Sequence, residues 1–359
     1  VTFSIYEDTP PNPTETAVIA ATKMFVGSEC DGIIAIGGGS SIALGKATAL
    51  LATHPEPLQT YAAVEGGASR ISERVAPLVA IPTTAGTGSE VGRGSVIVMN
   101  SGRKLGLLSP FLLPKVAICD PDLTVGLPPM LTAATGMDAI AHCIETFLAP
   151  AINPPAEAIA LDGLRRGMGN IEKATRDGSD RDARWNMMVA AMEGALAFQK
   201  GLGAVHALSH PLGAVPGVSL HHGTLNAVLL PAVLRFNKSA TESKQAALVQ
   251  AMGLAVGAEW SWCDGGAALS AGRHCRCSHE GSLPRHQSTV GHRGRLQADA
   301  RRILLRTRDM YQVSEYHETI REAVRRFAEQ EIAPHSHTLW ENEEFPYAIW
   351  KKAGELGYI

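Results

Sequence analysis

The chain has 359 residues, of which 45% are hydrophobic, and a formal net charge of −3. This length accommodates two ordinary domains with hydrophobic cores, and the near-neutral charge gives no electrostatic reason to expect binding to nucleic acid or to a membrane surface. No apolar run is long enough to span a bilayer, and the six cysteines show no disulfide framework, which favours a reducing, cytoplasmic setting.

Residues 1–126 alternate between short apolar runs and segments with helical periodicity. The apolar runs predict strands at residues 1–6, 32–36, 78–81, 96–99 and 116–119. Helices are predicted at residues 14–25 and 41–51. Because apolar strands that alternate with helices are typical of parallel sheets, we predict a parallel, doubly wound sheet in an α/β domain.

Residues 127–259 lack strand patterns and predict a separate all-α domain. The predicted helices lie at residues 133–148, 156–166, 184–198, 204–212 and 222–234. Neither helical nor strand periodicity persists in residues 260–309, which we predict to be unstructured. No lysine occurs between Lys244 and Lys351, whereas arginine is frequent there, which indicates a stretch of different origin, such as a wrong reading frame.

Residue types that bind metals are concentrated in the helical segment. Four of the 13 histidines lie within 17 residues, at His206, His210, His221 and His222. An i, i+4 spacing places Asp138 and His142 on one helix face, and it does the same for His206 and His210. One carboxylate with several imidazoles suits Fe²⁺ or Zn²⁺. Buried, hydrogen-bonded histidines are the alternative, but so many ligand-type residues in apolar helices favour a metal.

Two glycine-rich turns follow predicted strands. The sequence Gly37-Gly38-Gly39-Ser40 stands between a strand and a helix, where glycines let a phosphate approach the backbone and the helix N-terminus supplies free N–H groups. Residues 82–90, Pro-Thr-Thr-Ala-Gly-Thr-Gly-Ser-Glu, follow a buried strand at the edge where α/β sheets bind ligands. Taken alone, each segment also fits an ordinary structural turn, and the first is neither a GxGxxG fingerprint nor a Walker loop.

Over residues 1–258 the chain resembles the iron-containing (group III) alcohol dehydrogenases. The resemblance is carried by residues 37–40, residues 83–90, Gly136-Met137-Asp138 with His142, and residues 205–213. It implies an α/β Rossmann-like nucleotide-binding domain, truncated at its N-terminus, and an all-α metal-binding domain. The implied ligands of Fe²⁺ or Zn²⁺ are Asp138, His142, His206 and His222. His221 is the adjacent alternative to the last of these.

The same resemblance implies NAD or NADP as the cofactor. The cofactor-binding residues would be Gly37, Gly38, Gly39, Ser40, Thr83, Thr84, Thr87 and Lys104. A solvated turn lysine is the alternative reading of Lys104. His210 matches a histidine near the nicotinamide and is expected to relay the alcohol proton. The implied reaction transfers a hydride reversibly between a primary or secondary alcohol, or a hydroxy acid, and NAD(P), with the metal as Lewis acid.

The partner implied is a small-molecule alcohol or aldehyde, and a homo-oligomer is expected. Ala43 stands where the family has an aspartate, so one hydrogen bond on the cofactor side is expected to be missing. The chain is expected to start inside the first domain, without the family's first strand and helix. From these departures we predict weak or no activity.

Residues 310–359 resemble the N-terminal helices of acyl-CoA dehydrogenases, through residues 316–327, 332–335 and 350–357. Helices are predicted at residues 315–331 and from residue 346 to residue 350. The resemblance covers the opening helices without the flavin site or catalytic base, so no acyl-CoA chemistry is expected. The chain is therefore predicted to be a fusion.

Three other functions fit parts of the sequence. A maleylacetate reductase would accommodate Ala43, but those relatives lack the full metal set, whereas Asp138 is present here. A metal hydrolase would need a general-base glutamate beside the histidine pair and would not need the cofactor turns. An inactive, truncated chimera that binds metal without turnover is the third alternative.

Overall fold

A computed structural model of the chain describes residues 2–212 and 221–254, and the predictions for residues 260–309 and 310–359 lie outside these. Nearly all described residues belong to one unit, Val1–Val233 with Thr241–Gly253. Its first part contains α1 (Glu15–Gly27), β1 (Ile33–Gly37), α2 (Gly39–Leu51), β2 (Leu78–Pro82), β3 (Gly94–Val98), β4 (Lys104–Leu108) and β5 (Val116–Ala117). Its second part contains α3 (Pro129–Leu148), α4 (Pro154–Arg176), α5 (Arg181–Ala197), α6 (Ala204–Leu212), α7 (His222–Phe236) and α8 (Glu242–Ala251).

Three of the predicted strands form a parallel sheet in the described residues, in the order β1-β2-β5. Ile33 pairs with Leu78, and Val79 pairs with Val116. The doubly wound arrangement expected from the sequence is not present in this part of the chain, because α2 covers one face while Ile34 and Ile36 on the other are 66% and 60% exposed. The predicted class, α/β followed by helices, is nevertheless the observed one.

The prediction that residues 96–99 extend the parallel sheet is wrong. This segment belongs to β3, which pairs antiparallel with β4, a strand that the sequence analysis did not identify. The two strands are joined by a tight turn in which Gly102 has a φ of +78°. The predicted strand at residues 1–6 is also wrong, because residues 2–10 have no regular structure and Phe3 and Ile5 face solvent.

Helix α2 is the centre of the α/β part. Every residue from Ile42 to Leu51 is buried. One side of α2 packs through Ile42 on the parallel sheet at Ala35 and Leu78, and the other packs through Leu44, Ala47 and Leu50 against α1 and the β3–β4 hairpin. Because α2 is buried on all of its faces from Ile42 onward, it fixes the turn at its N-terminus relative to two layers of structure.

Helices α3, α4 and α5 pack against one another, and their close approach depends on small residues. A side chain at Gly163 would lie 2.8 Å from Cys143 Sγ, and one at Gly167 would lie 2.9 Å from Ile140 Cγ1. These contacts explain why α4 continues to Arg176, ten residues past its predicted end, since its glycines are packing sites rather than stop signals. Helix α8 was not predicted. Among the described residues no helix is long and apolar enough to cross a membrane.

Candidate metal and cofactor site

Helix α3 presents Asp138, His142 and Glu145 at i, i+4 and i+7, which places them on one face. All three are buried, with 3–5% of their surface exposed. Two further helices bring histidines to this face: α6 carries His206 and His210, and α7 begins at His222. The packing of α3 against α4 and α5 holds in place the helix that carries Asp138, His142 and Glu145.

Asp138 Oδ1 is the point on which the imidazoles converge. It lies 3.4 Å from His222 Nε2, 3.5 Å from His206 Nε2 and 3.9 Å from His142 Nε2. Ligand atoms of Asp138, His142 and His206 all lie within 4.8 Å of one another, close enough to share one metal ion. The rings of His142 and His206 stack with centroids 4.4 Å apart.

The structure distinguishes the two adjacent histidines at the start of α7. His222 contacts Asp138, whereas the His221 residue is exposed. A side chain on the next residue, Gly223, would collide with the carbonyl oxygen of Ala134 on α3. This close approach explains the glycine after His222, because it lets the first turn of α7 lie directly against the helix that carries Asp138.

The charge distribution suits a cation. Burial alone would raise the pKa of Asp138, but the neighbouring histidines, His142 foremost, hold it well below its ordinary value. Burial lowers the pKa of His142 to about 3 and that of His222 to about 4. Burial opposes the charged form of His206, but its hydrogen bonds to Asp138 and Glu145 raise its pKa to about 9.

Glu145 and Asn226 are site residues that the sequence analysis missed. Glu145 Oε2 lies 2.6 Å from His206 Nδ1, and its Oε1 accepts a bond from the backbone N–H of Val205 at 2.7 Å. Asn226 Nδ2 donates to Asp138 Oδ1 at 2.7 Å and lies 3.2 Å from both His206 Nε2 and His222 Nε2. Their spacing, three residues after His142 and four after His222, was the available signal.

The residues present fit a divalent metal. One carboxylate and several imidazoles are a ligand set typical of Fe²⁺ and Zn²⁺, and a bound metal would take the place of the proton on His206. A buried carboxylate on the far nitrogen of a histidine, as Glu145 is on His206, is a common orienting arrangement in metal sites. The Asn226 amide, the positive end of a dipole, points at the same atoms, so Asp138 and two imidazoles already face one electropositive group.

The two glycine-rich turns touch each other. The backbone N–H of Thr83 donates to the carbonyl of Gly37 at 3.0 Å. A side chain on Gly39 would lie 2.5 Å from Thr87 Cγ2, so the glycine is required by the contact with the second turn. Among the described residues no side chain caps the N-terminus of α2 at Gly38, and Ser40 is half-buried, so this end of the helix is accessible to an anion.

Lys104 lies closer to the candidate metal residues than the sequence indicated. Its Nζ donates to Asn12 Oδ1 at 2.9 Å. Burial lowers its pKa, an effect that the charge of Asp138 opposes. Asn12 has a φ of +59° within the turn at residues 10–13, a conformation that asparagine tolerates better than most residues. The sequence analysis gave Asn12 no role.

His210 lies beside the cluster but is not one of the three residues, Asp138, His142 and His206, whose ligand atoms all lie within 4.8 Å of one another. Its ring stacks on that of His222 with centroids 5.0 Å apart. Burial, followed by the nearby His222, lowers the pKa of His210 to about 3, so its imidazole is neutral near pH 7. A neutral imidazole has one nitrogen free to accept a proton.

The fold and the site together define a class, an α/β-plus-helical protein in which a buried His/Asp group that could hold a metal lies beside a glycine-rich turn. Residues 1–121 match the family model described as iron-containing alcohol dehydrogenase, and residues 132–271 match that of the family's C-terminal part. The second match extends beyond the predicted boundary at residue 259. Residues 314–359 match the acyl-CoA dehydrogenase N-terminal domain, which agrees with the predicted fusion.

Relatives support the same class. The chain is 61% identical over 263 residues to a 4-hydroxybutyrate dehydrogenase of Cupriavidus necator, a match covering 71% of this chain and 69% of that one. A solved 1,3-propanediol oxidoreductase is similar with a TM-score of 0.67 and 38% identity, over 70% of this chain and 65% of that one. The sulfoacetaldehyde reductase of Bifidobacterium kashiwanohense, solved in complex with NAD⁺, has a TM-score of 0.63 and 31% identity, over 68% and 65%.

The chain belongs to the iron-containing alcohol dehydrogenase family. It spans about two thirds of the length of the relatives that it matches.

Proposed function

We propose that the chain is an iron-type alcohol dehydrogenase that transfers a hydride between a short primary alcohol or hydroxy acid and NAD(P). The observation that carries this proposal is the contact between the two candidate sites, the metal cluster and the glycine-rich turns. The second glycine-rich turn packs against α3, which carries Asp138 and His142, and against the neighbouring α5: a side chain on Gly86 would lie 2.8 Å from Thr135 Cβ on α3, and one on Gly88 would collide with Ala195 on α5. A cofactor held by that turn would lie beside Asp138 and His142.

In this proposal Asp138, His142, His206 and His222 hold the metal, which supplies Lewis-acid polarisation of the alcohol oxygen when bound. The N–H groups at the start of α2, at Gly39 and Ser40, bind the pyrophosphate. Thr83, Thr84 and Thr87 are half-buried and offer hydroxyls to the cofactor from the second turn. Lys104 donates to a ribose hydroxyl from the side of Asn12.

His210 accepts the proton that the alcohol loses. Its neutral imidazole offers one ring nitrogen as an acceptor, and its pKa of about 3 means that the proton passes on to solvent and does not stay on the ring. Its stacking on His222 holds it at the edge of the metal group. In this proposal the four ligands hold the metal that polarises the alcohol oxygen, and His210 moves the proton.

4-Hydroxybutyrate is the first substrate to test, because the Cupriavidus relative at 61% identity is named for it. The dehydrogenase relatives and both family matches favour this function over maleylacetate reduction and over an inactive chimera. The three free thiols of the described residues, Cys30, Cys119 and Cys143, support a reducing cytoplasmic location.

The test is anaerobic assay of the Fe²⁺-loaded chain with NAD⁺ or NADP⁺ and a panel of 4-hydroxybutyrate, 1,3-propanediol and ethanol. We expect NAD(P)H formation with at least one of these, and none with His206→Ala. A folded, metal-loaded chain that reduces neither cofactor with any of the three would contradict the proposal and support the inactive chimera. The measured turnover rate also tests the prediction, made from the sequence, of weak or no activity.

A further inference from the structure

Lys46 is a buried charge that the proposed mechanism does not use. It lies in α2 with 1% of its surface exposed. Its Nζ donates to the backbone carbonyls of Ser89 at 2.6 Å, Gly92 at 2.6 Å and Gly94 at 3.0 Å. Three acceptors match the three N–H donors of an ammonium, whereas a neutral amine has two. Glu90, also buried, lies near enough to favour the charged form against the effect of burial.

The three carbonyls belong to the segment that follows the second glycine-rich turn. This segment, residues 88–94, connects Thr83–Thr87 to β3 and contains little regular structure. A second bond anchors its end to the same helix, because Ser95 Oγ donates to the carbonyl of Ala43 at 2.7 Å. The Lys46 side chain and the Ala43 carbonyl of α2 therefore hold this segment and the start of β3.

The N-terminus of α2 forms the first turn, so this helix contacts both halves of the proposed cofactor site. Gly37 and Gly39 contact the second turn at Thr83 and Thr87. Both threonines precede, along the chain, the residues that Lys46 binds. Without the ammonium, the carbonyls of Ser89, Gly92 and Gly94 would each lose a charge-assisted hydrogen bond, and that of Ser89 would keep only the N–H of Gly92 at 3.3 Å.

We infer that Lys46 is a positioning residue of the cofactor site, which fixes the second turn against α2 so that the two turns bind NAD(P) as one preformed surface. The inference rests on the proposed NAD(P) site. Lys46 does not touch the cofactor. Its effect is to keep Thr83, Thr84 and Thr87 at a fixed distance from Gly39 and Ser40, so that little ordering is needed on binding.

The test compares Lys46→Met, which keeps the apolar stem but removes the ammonium, with Thr48→Val. Thr48 is a matched control because it lies two residues along α2, is equally buried, and its hydroxyl has no hydrogen-bond partner among the described residues. Lys46→Gln, which keeps two N–H donors, is the milder variant. The measurements are the Kd for NADH by fluorescence titration, metal content, and hydrogen exchange of the amides of residues 83–94.

We expect Lys46→Met to raise the Kd for NADH by about tenfold or more, because binding would then have to order the second turn. A tenfold rise corresponds to the net free energy of about one hydrogen bond. Lys46→Gln should give a smaller increase, and Thr48→Val none. Metal content should stay at the wild-type value in all three, and exchange of residues 83–94 should accelerate in the Lys46 variants. A merely structural lysine would lower the melting temperature without changing the Kd measured well below it.

A wild-type Kd in either folded Lys46 variant would overturn the inference. If the wild-type chain itself bound no NADH, the proposed function would be contradicted instead. Hydrogen exchange would then still decide whether Lys46 holds the turn: unchanged protection of residues 83–94 in Lys46→Gln would overturn the inference, and faster exchange would support it.

Discussion

Asp138 concentrates the charge of the site at a single oxygen. Its Oδ1 accepts a hydrogen bond from Asn226 and lies within 3.9 Å of one nitrogen of each of three imidazoles. Such a buried carboxylate would be costly without cationic or dipolar partners. The cluster is thus explained more simply as a metal site than as a set of packed histidines, and single substitutions can separate its members.

The first substitution pair is His222→Ala and His221→Ala. His222 contacts Asp138, whereas His221 is exposed beside it, so only the former should reduce the metal bound per chain. We expect His222→Ala to reduce metal content severalfold and His221→Ala to leave it unchanged, as measured by elemental analysis after dialysis. The opposite pattern would move the ligand assignment to His221.

Glu145→Gln tests the carboxylate behind His206. Glutamine can still accept the Val205 N–H, but it removes the negative charge that orients the His206 ring. Loss of such an outer carboxylate typically weakens metal affinity by about 10–100-fold. We expect a decrease of about tenfold in affinity, measured by competition with a chelator, in a chain that unfolds at close to the wild-type temperature. Equal affinities would assign Glu145 a purely structural role.

At the scale of elements, the regular helices were predictable and the strand pairing was not. Helices α1 and α6 follow their predicted positions because capping and apolar periodicity are local signals; Thr14 caps α1 by accepting from the Ala17 N–H. Residues 96–99 could have joined the parallel sheet or paired with the next strand along the chain, and apolar content alone does not encode this choice; β3 pairs with β4. The length of α4 was underestimated because its glycines serve packing.

Gly223→Ala and Gly169→Ala should have opposite effects on stability. A methyl group at position 223 would collide with the Ala134 carbonyl. At position 169, which is an exposed residue of α4, none of the described atoms would lie within 4 Å of a methyl group. We expect Gly223→Ala to lower the free energy of unfolding by about 1–3 kcal/mol through overpacking. Gly169→Ala should raise it by about 0.5–1 kcal/mol. Chemical denaturation measures both, and destabilisation by Gly169→Ala would contradict the packing described.

Glu157, in the first turn of α4, pairs with two lysines and makes a pH-dependent contribution to the free energy of unfolding. Its Oε1 lies 2.8 Å from Lys244 Nζ and 3.2 Å from the fully buried Lys200 Nζ, and the hydrogen bond from Lys244 lowers the pKa of Glu157. A carboxyl with a lowered pKa stabilises the fold above its ordinary value of 4.5, and this stabilisation is lost as the pH falls through the folded-state pKa.

Glu157→Gln should therefore lower the free energy of unfolding at pH 7 by about 1–2 kcal/mol, since a buried ammonium loses its counter-charge. The difference from wild type should shrink as the pH falls below 4.5. Denaturation at several pH values measures this, with Glu7→Gln, an exposed glutamate outside the cluster, as the control. A difference that stays constant with pH would contradict the ion-pair explanation.

At the scale of the whole molecule, the sequence predicted which residues meet but not what supports them. The i, i+4 pairs and the glycine turns are local patterns, so Asp138, His142, Gly39 and Thr87 could be identified in advance. Glu145, Asn226 and Lys46 bind partners 43 to 88 residues away in the sequence, so helical spacing could mark the first two as near the histidines but could not show what they bind. The domain boundaries at residues 126, 259 and 309 and the homo-oligomer stay predictions, the latter testable by light scattering.

The most direct test of the central claim, that one metal is held by Asp138, His142, His206 and His222 beside the cofactor turns, is an anomalous difference map from crystals grown with Zn²⁺. We predict one strong peak per chain at about 2.0–2.2 Å from the Asp138 carboxylate and the imidazole nitrogens. A peak elsewhere, or none at this cluster in a chain that binds Zn²⁺ in solution, would contradict the account.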